Sequence, residues 1–279
     1  MQQLSIDRGT ERFNLSYFAA KESEKLLLIS PATGVKKHLY SAFARFMQEQ
    51  GYSVLTWDWS GIGDNLHGNV KDCSVNMRDW AEKDLNAVIE FCQHNFSQQR
   101  LYLLGHSFGG QALGLVKEIK SIQAICTVAT QHGYWKNWPK SKQARLITLW
   151  FAMIPGLTPL FGYFPSKKVG LGENLPKAVA LQWASWGRHP QYLNDFDGHR
   201  KMTQSILAYS IEDDFFAPQH AVHMLHREYA NCDVQYRHVE PAELSMTQIG
   251  HFGFFQKKQC VPLWQEIATF FDQQDAIVS

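Results

Sequence analysis

Gly105-His106-Ser107-Phe108-Gly109 places a serine between two glycines, at the junction of the apolar run LYLL and the small-residue run GQALGLVKEI. A strand that turns straight into a helix strains its corner residue and crowds the side chains two positions away, and glycines at 105 and 109 remove that crowding. The serine Oγ is then lifted above the sheet edge. The backbone N–H of Phe108 lies at a helix N-terminus, where the dipole favours a developing negative charge. Such a strand–serine–helix corner is suited to nucleophilic attack on a carbonyl carbon.

A serine attacks only when a base takes its proton and an acid orients that base. On a parallel sheet, sites gather beyond the carboxyl ends of the strands, so the partners are expected just after later strands, in the order serine, acid, histidine. After SILAYS comes Ile211-Glu212-Asp213-Asp214-Phe215-Phe216-Ala217-Pro218. Asp214, four residues before the proline that opens the next helix, is the first choice, with the adjacent Asp213 as the alternative. Beyond VQYRHVE, a glycine-rich loop Ile249-Gly250-His251-Phe252-Gly253-Phe254-Phe255 offers His251, whose phenylalanine neighbours would exclude water and favour a neutral imidazole. His106 is expected to point away and pack. His220, His223 and His226 fan around one helix as a solvated face rather than converging, so no metal is expected, and no cofactor. A second oxyanion donor should come from Ser30-Pro31-Ala32-Thr33-Gly34. Pro31 has no N–H, so Thr33 is favoured over Ala32.

These residues need elements to carry them. Arg12–Ala20 reads as a strand hairpinned through Arg8-Gly9 to the one before it, followed by strand KLLLIS, helix LYSAFARFMQEQ, strand YSVLTWD and a long helix over 75–95. The serine strand, a helix after the corner and SIQAICTVAT complete the first part. The alternation stops near Gly133 and resumes at SILAYS, with a helix from Gln219, VQYRHVE and a last helix ending near Asp272. This is an α/β chain with a mostly parallel sheet and helices on both faces. It divides into a core part at 1–132, an inserted helical cap at 133–204 and a second core part at 205–279.

The 279 residues, 45% hydrophobic and 19% charged, suffice for one large core. A net charge of +1 gives no reason to expect nucleic acid as a partner. The five cysteines lack a C-x-x-C spacing and fit a reducing, cytoplasmic location. MQQLSIDRGTERF carries charge where an export signal needs an apolar core.

With these pieces in order, the chain resembles the α/β-hydrolase superfamily over essentially its whole length. Within it the spacing is similar to the capped lipase and serine-aminopeptidase-like branch, which includes monoacylglycerol lipases. Gly51-Tyr52-Ser53-Val54 through Asp58-Trp59-Ser60-Gly61-Ile62-Gly63 matches that branch's GY.V...D.RG.G pattern, except that Ser60 stands where arginine is usual. Pro31-Ala32 also replaces a common His-Gly. GHFGFF and Gly133-Tyr134-Trp135 are similar to a group of bacterial α/β hydrolases. The resemblance implies hydrolysis through an acyl-enzyme without choosing the acyl group.

Leu146–Ser166, LITLWFAMIPGLTPLFGYFPS, has no charged residue and reaches the length of a membrane span. Pro155, Gly156, Pro159 and Gly162 argue instead for a lid of two short helices. Trp135, Trp150, Phe151, Phe161 and Trp183 are candidates to line an apolar acyl pocket, or to form the cap's own core. Ten Lys and Arg between Gly133 and Ser205 face Glu173, Asp195 and Asp197, so a basic cap could touch an anionic membrane surface transiently. A small-molecule ester or thioester with an apolar acyl group is the leading substrate class. Peptidase or amidase action, acyl transfer and a non-catalytic binding role are the alternatives.

Overall fold

The computed structural model describes residues 1–9, 11–193 and 197–278. Asp195, counted in the cap's charge, lies outside them.

Eight strands form one sheet: β1 (Gln2–Asp7), β2 (Arg12–Phe18), β3 (Lys25–Ser30), β4 (Ser53–Trp57), β5 (Arg100–His106), β6 (Ile122–Val128), then, after a long excursion, strands Ser205–Ile211 and Val234–Val239. The spatial order is β1-β2-β4-β3-β5-β6, followed by those last two. In this sheet the pairs β1/β2 and β2/β4 are antiparallel and the remaining described pairs are parallel. Alternate residues of a strand point to opposite faces, and here both faces are covered. Leu26, Leu28, Leu101 and Leu103 pack into one apolar cluster, whereas Leu27, Ile29, Tyr102 and Leu104 pack into the other. This is the mostly parallel, helix-flanked α/β sheet that the alternation implied.

Helices α1 (Ser41–Glu49) and α2 (77–95, with a π turn at Trp80–Leu85) precede β5. The helix after the serine corner is shorter than expected: α3 (Phe108–Gln111) tightens to a 3₁₀ turn at Ala112–Leu115 and stops. The reason is local, because the Lys117 N–H turns to the Asn86 side chain at 3.0 Å instead of continuing the helix.

Between β6 and Ser205 the chain leaves the sheet. The two short helices expected there are one continuous helix, α4 (Lys140–Phe161). A widened π turn at Thr148–Met153 comes just before Pro155, where a proline ring would collide with the carbonyl of an ordinary turn. The helix ends at Gly162, whose φ of 76° suits only glycine comfortably. A two-stranded hairpin, β7 (Tyr163–Phe164) with β8 (Leu175–Pro176), and α5 (Lys177–Arg188) follow in this segment. Back in the sheet, β9 (Ser205–Ile211), α6 (Gln219–His226), β10 (Val234–Val239), α7 (Gly250–Gln256) and α8 (Val261–Val278) close the chain. The last helix runs past its expected end at Asp272 because its acids are anchored on the core. Asp272 takes Lys25 and the Tyr52 hydroxyl, each at 2.7 Å, and Asp275 takes Arg100 at 2.9 Å.

Candidate active site

Ser107 follows β5 with φ 52° and ψ −116°, a strained backbone for a non-glycine residue. The flanking glycines are required by close approach. A Cβ on Gly105 would lie 2.5 Å from the Gly110 Cα, and one on Gly109 only 2.0 Å from the Ser30 carbonyl oxygen at the end of β3. The corner is held from below: the Ser107 N–H donates to the Val128 carbonyl at 2.9 Å, and the Thr130 hydroxyl donates to the Ser107 carbonyl at 3.2 Å. Phe108 packs edge-on against Trp59 and Trp80, which stack on each other at 5.6 Å.

The two adjacent acids do different things. Asp214 is buried, and its Oδ2 lies 2.7 Å from His251 Nδ1 while its Oδ1 accepts the N–H groups of Phe216 and Ala217. Asp213 never reaches the ring. Its carboxylate accepts the N–H groups of Ile249 and Gly250 at 3.0 Å, which fixes the N-terminus of α7. His251 is therefore not on a loop, as the glycines suggested, but in the first turn of a helix anchored by Asp213. With Nδ1–H donating to Asp214, the neutral ring keeps Nε2 as an acceptor.

Ser107 and His251 line one cavity with room for about 50 Å³, walled by Ala32, Thr33, Gln131, Gly170, Leu171, Trp183, Phe216 and Phe252. The rings of Phe216 and Phe252 stand 5.4 and 5.0 Å from that of His251. Thr33 lines the cavity, and the Ala32 N–H is already committed to the Tyr40 hydroxyl at 2.9 Å.

Of the five aromatics expected around an acyl group, Trp183 alone reaches this cavity. Trp150 lies behind it, ring against ring at 4.8 Å, and Phe161 packs on Tyr163. Trp135 packs against Phe151, which is 48% exposed on the outside of the insertion. The helix α4 turns these side chains to different sides, which spacing along the chain did not reveal. His226 also departs from the solvated face expected of it: it is buried, bridging the Thr127 hydroxyl and the Val222 carbonyl at 2.8 Å each.

His106 does more than pack. Its Nδ1 lies 2.9 Å from the Tyr40 hydroxyl and its Nε2 lies 3.0 Å from the His251 carbonyl oxygen. Burial pushes the imidazole well below its ordinary pKa and the phenol of Tyr40 up, so both are neutral. Only one hydrogen arrangement satisfies the set. Ala32 N–H donates to Tyr40, Tyr40 O–H donates to His106 Nδ1, and His106 Nε2–H donates to the His251 carbonyl. This buried chain joins the loop after β3, the serine corner and the histidine helix. A polar residue inside the corner was the one sequence signal for it, since Tyr40 sits 66 positions from its partner.

A family model described as serine aminopeptidase, S33, matches residues 21–185. No curated protein matches the sequence. Among solved structures, a soluble variant of monoglyceride lipase from Saccharomyces cerevisiae, in complex with a substrate analog, is similar at a TM-score of 0.67 and 14% identity, over 98% of this chain and 94% of that one. Est1E from Butyrivibrio proteoclasticus with bound ferulic acid is similar at 0.63 and 17%, over 98% and 99%. A thermophilic esterase from Thermogutta terrifontis is similar at 0.62 and 16%, over 98% and 99%. At such identities the likeness is one of fold.

Proposed function

The chain belongs to the serine aminopeptidase (S33) family of α/β hydrolases, and on that premise we propose that this serine hydrolase cleaves a carboxylic ester or thioester with an apolar acyl group through an acyl-enzyme. The observation that carries this reading is the 2.7 Å contact between His251 and Asp214, with His251 and Ser107 lining one cavity. Ser107 Oγ attacks the carbonyl carbon as His251 Nε2 takes its proton, and Asp214 holds the ring and offsets the imidazolium charge. The oxyanion forms beside the N–H groups of Phe108 and Thr33. When the tetrahedral intermediate collapses, His251 returns the proton to the leaving alcohol or thiol. Water, deprotonated by the same nitrogen, then attacks the acyl-enzyme and releases the acid.

Ester chemistry fits the walls better than removal of an amino-terminal residue. A free α-ammonium group calls for a carboxylate, and among the described residues none lines the cavity, whose wall includes Leu171, Trp183, Phe216 and Phe252. Its volume of about 50 Å³ is room for a few waters and not for a long acyl chain. A longer acyl chain therefore requires Gly170 and Leu171 to move, and the insertion at 133–204 acts as a cap. That segment is tied down at Glu173, whose N–H donates to the Gly34 carbonyl at 2.8 Å and whose carboxylate bridges Lys36 and Lys167. A panel of p-nitrophenyl esters from acetyl to octanoyl, with matched thioesters and aminoacyl amides, tests the reading. Turnover of the esters or thioesters is expected. Cleavage of the amides alone would replace it with a peptidase.

A further inference from the structure

Among the described residues one helix, α4, is long and apolar enough to cross a membrane, and it does not have the burial of a core helix: 28% of its most apolar stretch is buried. One side, with Leu146, Leu149, Trp150, Ile154 and Thr158, faces inward. The other is open to solvent. Ile147 is 40% exposed and Leu160 76%, and Phe151, Ala152, Gly156 and Pro159 lie exposed between them. An undisturbed helix would rotate these out of line over that length. The π turn at Thr148–Met153 holds an extra residue, which resets the phase and keeps both halves of the apolar side facing the same way. The result is an apolar stripe along an uncharged segment of fourteen residues, Ile147 to Leu160, roughly 20 Å long at 1.5 Å per residue.

Cations border the stripe. Arg188 stands 5.7 Å from the ring of Phe151, Lys136 lies over Trp135, which itself packs on Phe151, and Lys168 lies over Phe161 at the far end. Glu173 is the sole carboxylate in the sequence from Gly133 to Leu193, and it is occupied by Lys36 and Lys167. An apolar stripe with a basic border complements a surface that is apolar beneath an anionic layer. We infer that α4 lies flat on an anionic lipid bilayer, with Phe151 and Leu160 inserted among the acyl chains and Lys136, Arg188 and Lys168 at the headgroups. A span is ruled out by the buried side, which is packed on α5 through Trp150 and Trp183. A second copy of the chain fits poorly, because two-fold pairing would set like-charged borders against each other. Trp183 also lines the cavity of Ser107, so α4, Trp150 and Trp183 stand in sequence between the bilayer and that site.

This surface goes beyond the hydrolytic reading and does not depend on it. The test is co-sedimentation of the full chain with vesicles of phosphatidylcholine and phosphatidylglycerol at about 3:1, against pure phosphatidylcholine, with thermal melts as the folding control. Partitioning is expected to be at least about tenfold stronger on the anionic vesicles and to fall about tenfold when salt is raised to roughly 0.5 M. The pair Phe151→Ser and Leu160→Ser, and separately Lys136→Glu with Lys168→Glu, should each lower it about tenfold with melts unchanged. No binding, or equal binding to both vesicles, would overturn the assignment. So would a dimer in sedimentation velocity that the Phe151→Ser, Leu160→Ser pair dissolves, since the stripe would then belong to a second copy.

Discussion

Removing Arg8 should destabilise the whole molecule from an N-terminal hairpin that touches no part of the cavity. Asp84 is 1% exposed at the π turn of α2, and its carboxylate accepts Arg8 Nη1 at 2.7 Å, the Ser60 N–H at 2.8 Å and the Ser60 hydroxyl at 2.8 Å. Arginine is usual at position 60 in this branch, and here the guanidinium arrives instead from the turn between β1 and β2. Breaking a buried pair by deleting one partner costs about 3–5 kcal/mol. Because Arg8 is 25% exposed and Ser60 still donates twice, the low end applies, about 3 kcal/mol. For a domain of this size Arg8→Ala should lower Tm by roughly 6–12 °C. Burial raises the pKa of Asp84 and Arg8 opposes that rise. Without Arg8 the carboxyl titrates higher, so the deficit should be full near neutral pH and shrink as pH falls and Asp84 takes up a proton. Adding Ser60→Arg to Arg8→Ala should restore part of the loss by supplying the charge from the usual position. Urea unfolding at about pH 5 and pH 8 reads all three. A loss below about 1 kcal/mol, or one equal at both pH values, would refute the reasoning.

Other outcomes follow from the same geometry. Asp214→Asn should lower kcat by about 10⁴ because His251 loses the group that sets its tautomer, whereas Asp213→Asn should act weakly, through the anchoring of α7; steady-state kinetics separates them. Tyr40→Phe should cost about tenfold in kcat with KM unchanged, and weaken a boronic acid inhibitor by the same factor, since it frees the Ala32 and His106 groups that order the oxyanion loop. Each further methylene of acyl chain should raise kcat/KM about fourfold, at 0.8 kcal/mol per methylene, until the space opened under the cap is full; a flat series from acetyl to octanoyl would contradict an acyl pocket. Burial holds His132, His199 and His226 down to about 4. Their folded-state pKa values lie below the ordinary 6.5, so stability is complete above that pH and drains away as pH falls from there towards 4, which urea midpoints across the range would report.

The sheet, the serine corner and the pair of acids after β9 were legible because each rests on local pattern: alternating apolar runs, glycines at fixed offsets and a proline that opens a helix. The preference for Asp214 over Asp213 rests on spacing to Pro218 alone, since one residue of phase along an irregular turn decides which carboxylate meets the ring and which meets the backbone of α7. The continuity of α4 was hidden because Pro155 reads as a breaker, and nothing in the residue types announces the π turn that accommodates it. Tyr40 and Arg8 were invisible for a different reason. Each acts across a long separation, on a group whose need for a partner appears only once it is buried.

The central claim is that Ser107 is the nucleophile. Intact-mass and peptide analysis after treatment with a fluorophosphonate tests it most directly, because the reagent forms a stable adduct only on a serine activated by its base. One adduct per chain is expected, on the peptide that contains Ser107, and none on a folded Ser107→Ala variant. Equal labelling of that variant, or no labelling of the unaltered protein, would contradict it.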